Sequence, residues 1–108
     1  MSDVFARVQA LAAIGEIEAS LHGSRELAAD GILLDEVLAG LGQAVVVEDY
    51  PTYAKGPSVL VLQHDASGRP IHVLWGIAKG RDRPAVLITA YRPDPLRWSA
   101  DFLKRVAP

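Results

Sequence analysis

Hydrophobic residues along this chain change their spacing near residue 44. Before it they recur at helical intervals, and after it they fall into short β-branched runs. Val4, Phe5, Val8, Leu11 and Ala12 share one helical face behind Ser2 or Asp3 as the cap, and Gly15 is the stop. Residues 16–22 alternate apolar and polar, which fits a short strand or an extended connector. Ser24 caps a second helix that ends at Asp30 and Gly31. Asp35 caps a third, with Leu34 before it, Val37, Leu38 and Leu41 along its apolar side, and Gly42 at its end.

The later runs read as strands. Residues 44–50 form the first, ended by Pro51. The second starts at Ser58 and reaches about His64, and the turn Asp65-Ala66-Ser67-Gly68 leads into a third over 70–77. A charged loop from Lys79 to Arg83 precedes the fourth, Ala85 to Tyr91, which Pro93 and Pro95 stop. Loops this short leave no room for parallel crossovers between successive strands, so an antiparallel meander is expected. Asp94 and Pro95 then resemble a helix start, with Leu96, Trp98, Phe102, Leu103 and Val106 supplying apolar contacts. The expectation is one α+β domain over residues 1–108: N-terminal helices, a four-stranded antiparallel sheet and a C-terminal helix.

Composition narrows the function classes. The chain has 108 residues, half of them hydrophobic, which is enough for one core. It has no cysteine, so disulfides, thiolate metal sites and a cysteine nucleophile are excluded. Neither a leader-like amino terminus nor a membrane-length apolar run is present, and a cytoplasmic protein is expected. The net charge of −2 hides an asymmetry: residues 1–54 carry two basic groups against nine acidic, and residues 55–108 carry nine against four. An anion-binding face in the second half is one reading, and charge scattered over solvated loops is the other.

Few side chains are candidates for chemistry. His22, beside Gly23, could act as an acid or base, bind a phosphate, or simply shape the turn. His72 shares a strand face with Leu74 and Gly76, and Gly76 leaves open space there for a ligand or a packed helix. Thr89 and Tyr91 project from one face of the fourth strand, with Arg92 following. If His72 and Tyr91 meet, then His72, Tyr91 and Arg92 form a cleft with acid–base and anion-binding groups. His22, His64 and His72 lack metal-ligand spacing, and no phosphate loop or dinucleotide motif is present, so neither metal nor cofactor is expected.

The series Glu48-Asp49-Tyr50-Pro51, residues 56–62 (Gly-Pro-Ser-Val-Leu-Val-Leu), residues 68–73 (Gly-Arg-Pro-Ile-His-Val) and residues 88–95 (Ile-Thr-Ala-Tyr-Arg-Pro-Asp-Pro), with Trp98, His22 and Gly31-Ile32, resembles the bacterial domain-of-unknown-function family 4258. The likeness spans roughly His22 to Arg105. It implies a toxin-like fold of the RelE and MqsR type, helices packed on an antiparallel sheet, with ribonuclease activity and an antitoxin-like protein as partner. His22, His72, Thr89 and Tyr91 match its recurring polar positions. Asp30 and Glu26 depart from it, because basic residues are common there.

Two functions follow as expectations. One is a metal-independent endoribonuclease in which His22 or His72 is the acid or base and Tyr91 transfers or hydrogen-bonds a proton. Arg92 with Lys79, Arg81 or Arg83 would hold the RNA phosphate alongside Thr89. The other is a non-catalytic interaction module, a homodimer or a partner of another protein, anchored by an exposed Trp75 or Trp98. A DNA-binding regulator fits less well, since no helix is basic along a face.

Overall fold

The computed structural model describes residues 2–106. Three helices lie on one face of a five-stranded sheet. They are α1 (Asp3–Ala13), α2 (Leu21–Ala29) and α3 (Leu34–Gly40), the last running into a 3₁₀ turn at Leu41–Gln43. The strands are β1 (Ile17–Ala19), β2 (Val45–Tyr50), β3 (Ser58–His64), β4 (Pro70–Gly76) and β5 (Ala85–Tyr91), in the order β1-β5-β4-β3-β2. No helix is long and apolar enough to cross a membrane among the described residues.

Helix starts follow the local capping chemistry. The Ser2 hydroxyl accepts from the Phe5 amide, as the spacing suggests. For α2 the cap is Ser20, which accepts from the Gly23 amide, so the helix begins before Ser24 and takes in His22. Leu33 occupies the cap position of α3 without a side-chain bond, and Asp35 lies inside the first turn.

The inner sheet face and the helices enclose the core. Val59, Val61, Ile71, Val73, Trp75 and Leu87 pack under Val4, Val8, Leu27 and Val37, all of them buried. Strands β2 to β5 form the expected antiparallel meander. Bulges interrupt the register near Val47 in β2 and near Ile88 in β5.

Two parts of the expected architecture are overturned. The sheet has a fifth strand, and it is mixed: β1 pairs parallel to β5, with Ile17 opposite Ala85 and Ala19 opposite Leu87. Short loops forbid parallel pairing only between successive strands, and β1 reaches β5 from the far end of the sequence. Among the described residues there is also no C-terminal helix. Asp94 starts a single turn, accepting from the Arg97 and Trp98 amides through its carbonyl and from the Leu96 amide through its carboxylate. Beyond it Ser99 and Asp101 bind the Lys104 and Leu103 amides with their side chains, offering the backbone an alternative to the helix. Phe102 sits at φ +61°, and Trp98 pairs with Arg105 in an antiparallel bridge. Residues 97–106 are therefore a tight hairpin, a strap across the outer sheet face.

Gly23 marks the closest approach of α2 to the sheet. A Cβ there would lie 2.5 Å from the Leu87 carbonyl oxygen and 2.7 Å from Leu87 Cδ2. Helix propensity alone would make Gly23→Ala stabilising by about 1 kcal/mol. The clash reverses the sign, and a net loss of about 1–3 kcal/mol is expected in chemical denaturation. Gly42→Ala, with nothing within 4 Å, is the control and should lack this penalty. A Gly23→Ala protein as stable as wild type would show that α2 does not sit this close.

Candidate functional site

Side-chain alternation puts Glu48 and Tyr50 of β2, Leu60 and Leu62 of β3, His72, Leu74 and Gly76 of β4, and Tyr91 of β5 on the outer face. No helix packs there, yet Leu60, Leu62 and His72 are buried. The strap accounts for the burial around His72.

His72 and Tyr91 are direct cross-strand partners, with the Tyr91 hydroxyl 3.2 Å from His72 Nδ1. His72 Nε2 lies 2.8 Å from the Phe102 carbonyl oxygen. A carbonyl can only accept, so Nε2 carries the proton and Nδ1 accepts from the tyrosine hydroxyl. Trp98 closes over the ring edge-on at a centroid distance of 4.4 Å, and His72 is 0% exposed. Burial pushes the imidazole below its ordinary pKa of 6.5, only partly opposed by the Phe102 carbonyl and the Glu48 charge. Burial likewise raises the Tyr91 hydroxyl. The pair is a neutral, fully hydrogen-bonded plug.

The strap is pinned at its end. Arg105 donates to Glu48 through Nε at 2.8 Å and through its second terminal nitrogen at 2.9 Å, and its guanidinium lies 4.8 Å from the Trp98 ring centre. Tyr50 donates its hydroxyl to the same carboxylate. Those bonds, Arg105 first, hold the Glu48 carboxyl below its usual range. Because Arg105 is largely exposed, the ion pair contributes at most about 1 kcal/mol.

The other site candidates lie elsewhere. His22 is exposed on α2, on the helix side of the sheet, 3.8 Å from Glu26. Arg92 turns to the β3–β4 turn, 2.9 Å from the Asp65 carboxylate and 3.4 Å from the Pro70 carbonyl. Thr89 is opposite Leu74 on the outer face, half-buried. Lys79, Arg81 and Arg83 are exposed in the β4–β5 loop, at the opposite end of the strands from His72 and Tyr91, and Arg83 faces Glu16 at 3.8 Å. So His72 and Tyr91 meet, while His22, Arg92 and the basic loop stay apart from them. Trp75 is buried in the core, and Trp98 is buried where the strap packs on His72, so neither is the exposed anchor expected of an interaction module. Among the described residues no group of acidic and histidine side chains is placed to hold a metal.

Beside the strap the same face is open. A groove of about 640 Å³ has a floor of Leu74, Gly76, Val86 and Ile88, tyrosine walls at Tyr50 and Tyr53, and Lys55 at its mouth. Gly76 keeps the floor low, since a Cβ there would meet Ile88 Cδ1 at 2.6 Å. Glu48, Tyr50, Tyr53, Lys55 and Arg105 were not among the site candidates read from the sequence. The i, i+2 spacing of Glu48 and Tyr50 on one strand face was the available signal. Arg105 had none, because its segment reads as helix.

A family model described as a domain of unknown function (DUF4258) matches residues 19–92, and the chain belongs to that family. The match takes in the groove, Glu48, His72 and Tyr91 and ends before the strap, short of the likeness to Arg105 read from the sequence. No curated protein and no solved structure matches the chain.

Burial of neutral His72 makes stability depend on pH. The unfolded chain takes up a proton at His72 near 6.5 and the folded chain does so only at lower pH. The unfolded state therefore binds more protons in that window, so stability is full above 6.5 and declines as pH falls below it. Glu48, whose folded pKa lies below its ordinary 4.5, adds its own loss only at more acid pH. Urea denaturation should show this decline in wild type and a flatter profile in His72→Phe. Equal slopes in the two proteins would contradict the assignment.

Proposed function

We propose that this DUF4258 protein is a non-catalytic binding module, acting in the cytoplasm through the open groove on the outer sheet face. One contrast supports this reading. The acid–base pair His72–Tyr91 has its proton sites committed, to each other and to Phe102, under Trp98. The neighbouring groove is open and has the volume and apolar, aromatic lining of an ordinary ligand site. A general acid or base must reach the proton it moves, and His72 offers neither a free nitrogen nor access.

A second reading, a toxin-like endoribonuclease paired with an antitoxin, draws on the His72–Tyr91 contact. It needs residues 97–106 to leave the sheet and Arg105 to part from Glu48. It also needs a phosphate-binding group other than Arg92, which is engaged by Asp65.

Purified protein incubated with total RNA separates the two. The binding reading predicts intact RNA and unimpaired growth on expression of the protein. RNA cleavage lost in His72→Ala, with growth arrest relieved by the same change, would overturn it.

A further inference from the structure

We infer that the groove takes single-stranded nucleic acid, with unpaired bases against Tyr50 and Tyr53 and phosphates at a cationic mouth. The inference rests on the binding reading and supplies its ligand class.

The mouth is where two loops join. The Lys79 amide donates to the Lys55 carbonyl at 3.1 Å, which fixes the β2–β3 loop against the β4–β5 loop. Gly56 lets the backbones touch: a Cβ there would be 2.1 Å from the Ile77 carbonyl oxygen. Lys55 lines the groove, and Lys79 and Arg81 lie in the loop that the Lys79 amide binds to it, all three exposed. Among the described residues none of the three makes an ion pair. Among the described residues no carboxylate lines the groove, and the one acidic residue of the β4–β5 loop is Asp82. Cations outside any ion pair, beside an apolar hollow, call for a ligand that is anionic at one part and flat and apolar at another.

The walls supply the second half of that description. Tyr50 is held by its hydroxyl bond to Glu48, so its ring is pre-positioned, and Tyr53 is 55% exposed with its ring free to stack. Every base has a π-face, and stacking on an aromatic side chain is worth about 1–3 kcal/mol per base. Duplex bases would already be stacked on each other and unable to enter. The floor belongs to β4 and β5, which both lie inside the sheet, and β1 already pairs with the Ala85–Leu87 stretch of β5, so the floor offers no free sheet edge for an extended peptide to join as a strand.

The test is fluorescence anisotropy with a labelled single-stranded oligoribonucleotide of mixed sequence. Wild type should bind it, less tightly as salt rises, and should not bind the same sequence annealed to its complement. The exposed double substitution Lys55→Glu and Lys79→Glu should weaken binding by roughly tenfold or more. Tyr53→Ala should weaken it at least about fivefold, and Arg25→Glu, on the helix side, should leave it unchanged. Equal binding by wild type and the double variant, or preference for the duplex, would overturn the inference. Titration of an acidic amphipathic peptide and of a hydrophobic dye runs alongside. Either one bound in a Tyr53-dependent way, without RNA binding, keeps the binding reading and removes the nucleic acid. No binding of RNA, peptide or dye removes both.

Discussion

The hydrogen bond from His72 Nε2 to the Phe102 carbonyl, closed over by Trp98, decides how the second face of this sheet is used. A sheet has two faces, and all three helices of this chain lie on one. The outer face carries Leu60, Leu62, Leu74, Val86 and Ile88, too much apolar surface to leave entirely to water. Residues 97–106 cover part of it. Folded as a hairpin strap, they reach across the His72 end. The groove is what the strap leaves bare.

This division explains why the polar groups on the outer face behave so differently. His72 and Tyr91 lie in the covered half, where each needs a partner because an unsatisfied buried donor or acceptor costs about 1–3 kcal/mol. They find those partners in each other and in the strap backbone. Tyr50 stands at the boundary, with its hydroxyl on Glu48 and its ring on the groove. Glu48 in turn holds Arg105, so one carboxylate ties the groove wall to the end of the strap. Lys55, Lys79 and Arg81 lie in the open half, where water solvates them.

Much of the inner architecture is legible in the residues. The helical spacing of Val4, Val8 and Leu11, the β-branched runs after residue 44 and the short loops between them lead to the helices and the β2–β5 meander. Strand β1 is harder, because three alternating residues carry too little periodicity to name a partner, and that partner lies more than sixty residues away. The strap misleads for a physical reason. Asp94 and Pro95 do start a turn, but Ser99 and Asp101 compete for the backbone amides that a helix needs. The site was legible to the same degree. Adjacent strands bring His72 near Thr89 or Tyr91, but the residues do not set the register that pairs it with Tyr91, nor show that Phe102 and Trp98 close over the pair. Gly76 was readable as space, and Tyr53 beside it was not, since it comes from a loop.

Closure of the outer face by the strap requires a His72 that is sealed and singly protonated. Nitrogen-15 NMR of the histidine side chains across a pH series measures this directly, because the imidazole shifts report both tautomer and charge. The Nε2–H tautomer should persist through neutral pH, and the midpoint should fall below 6.5. A His72 that averages its tautomers like a solvated histidine and titrates at or above 6.5 would mean that the strap does not close the site.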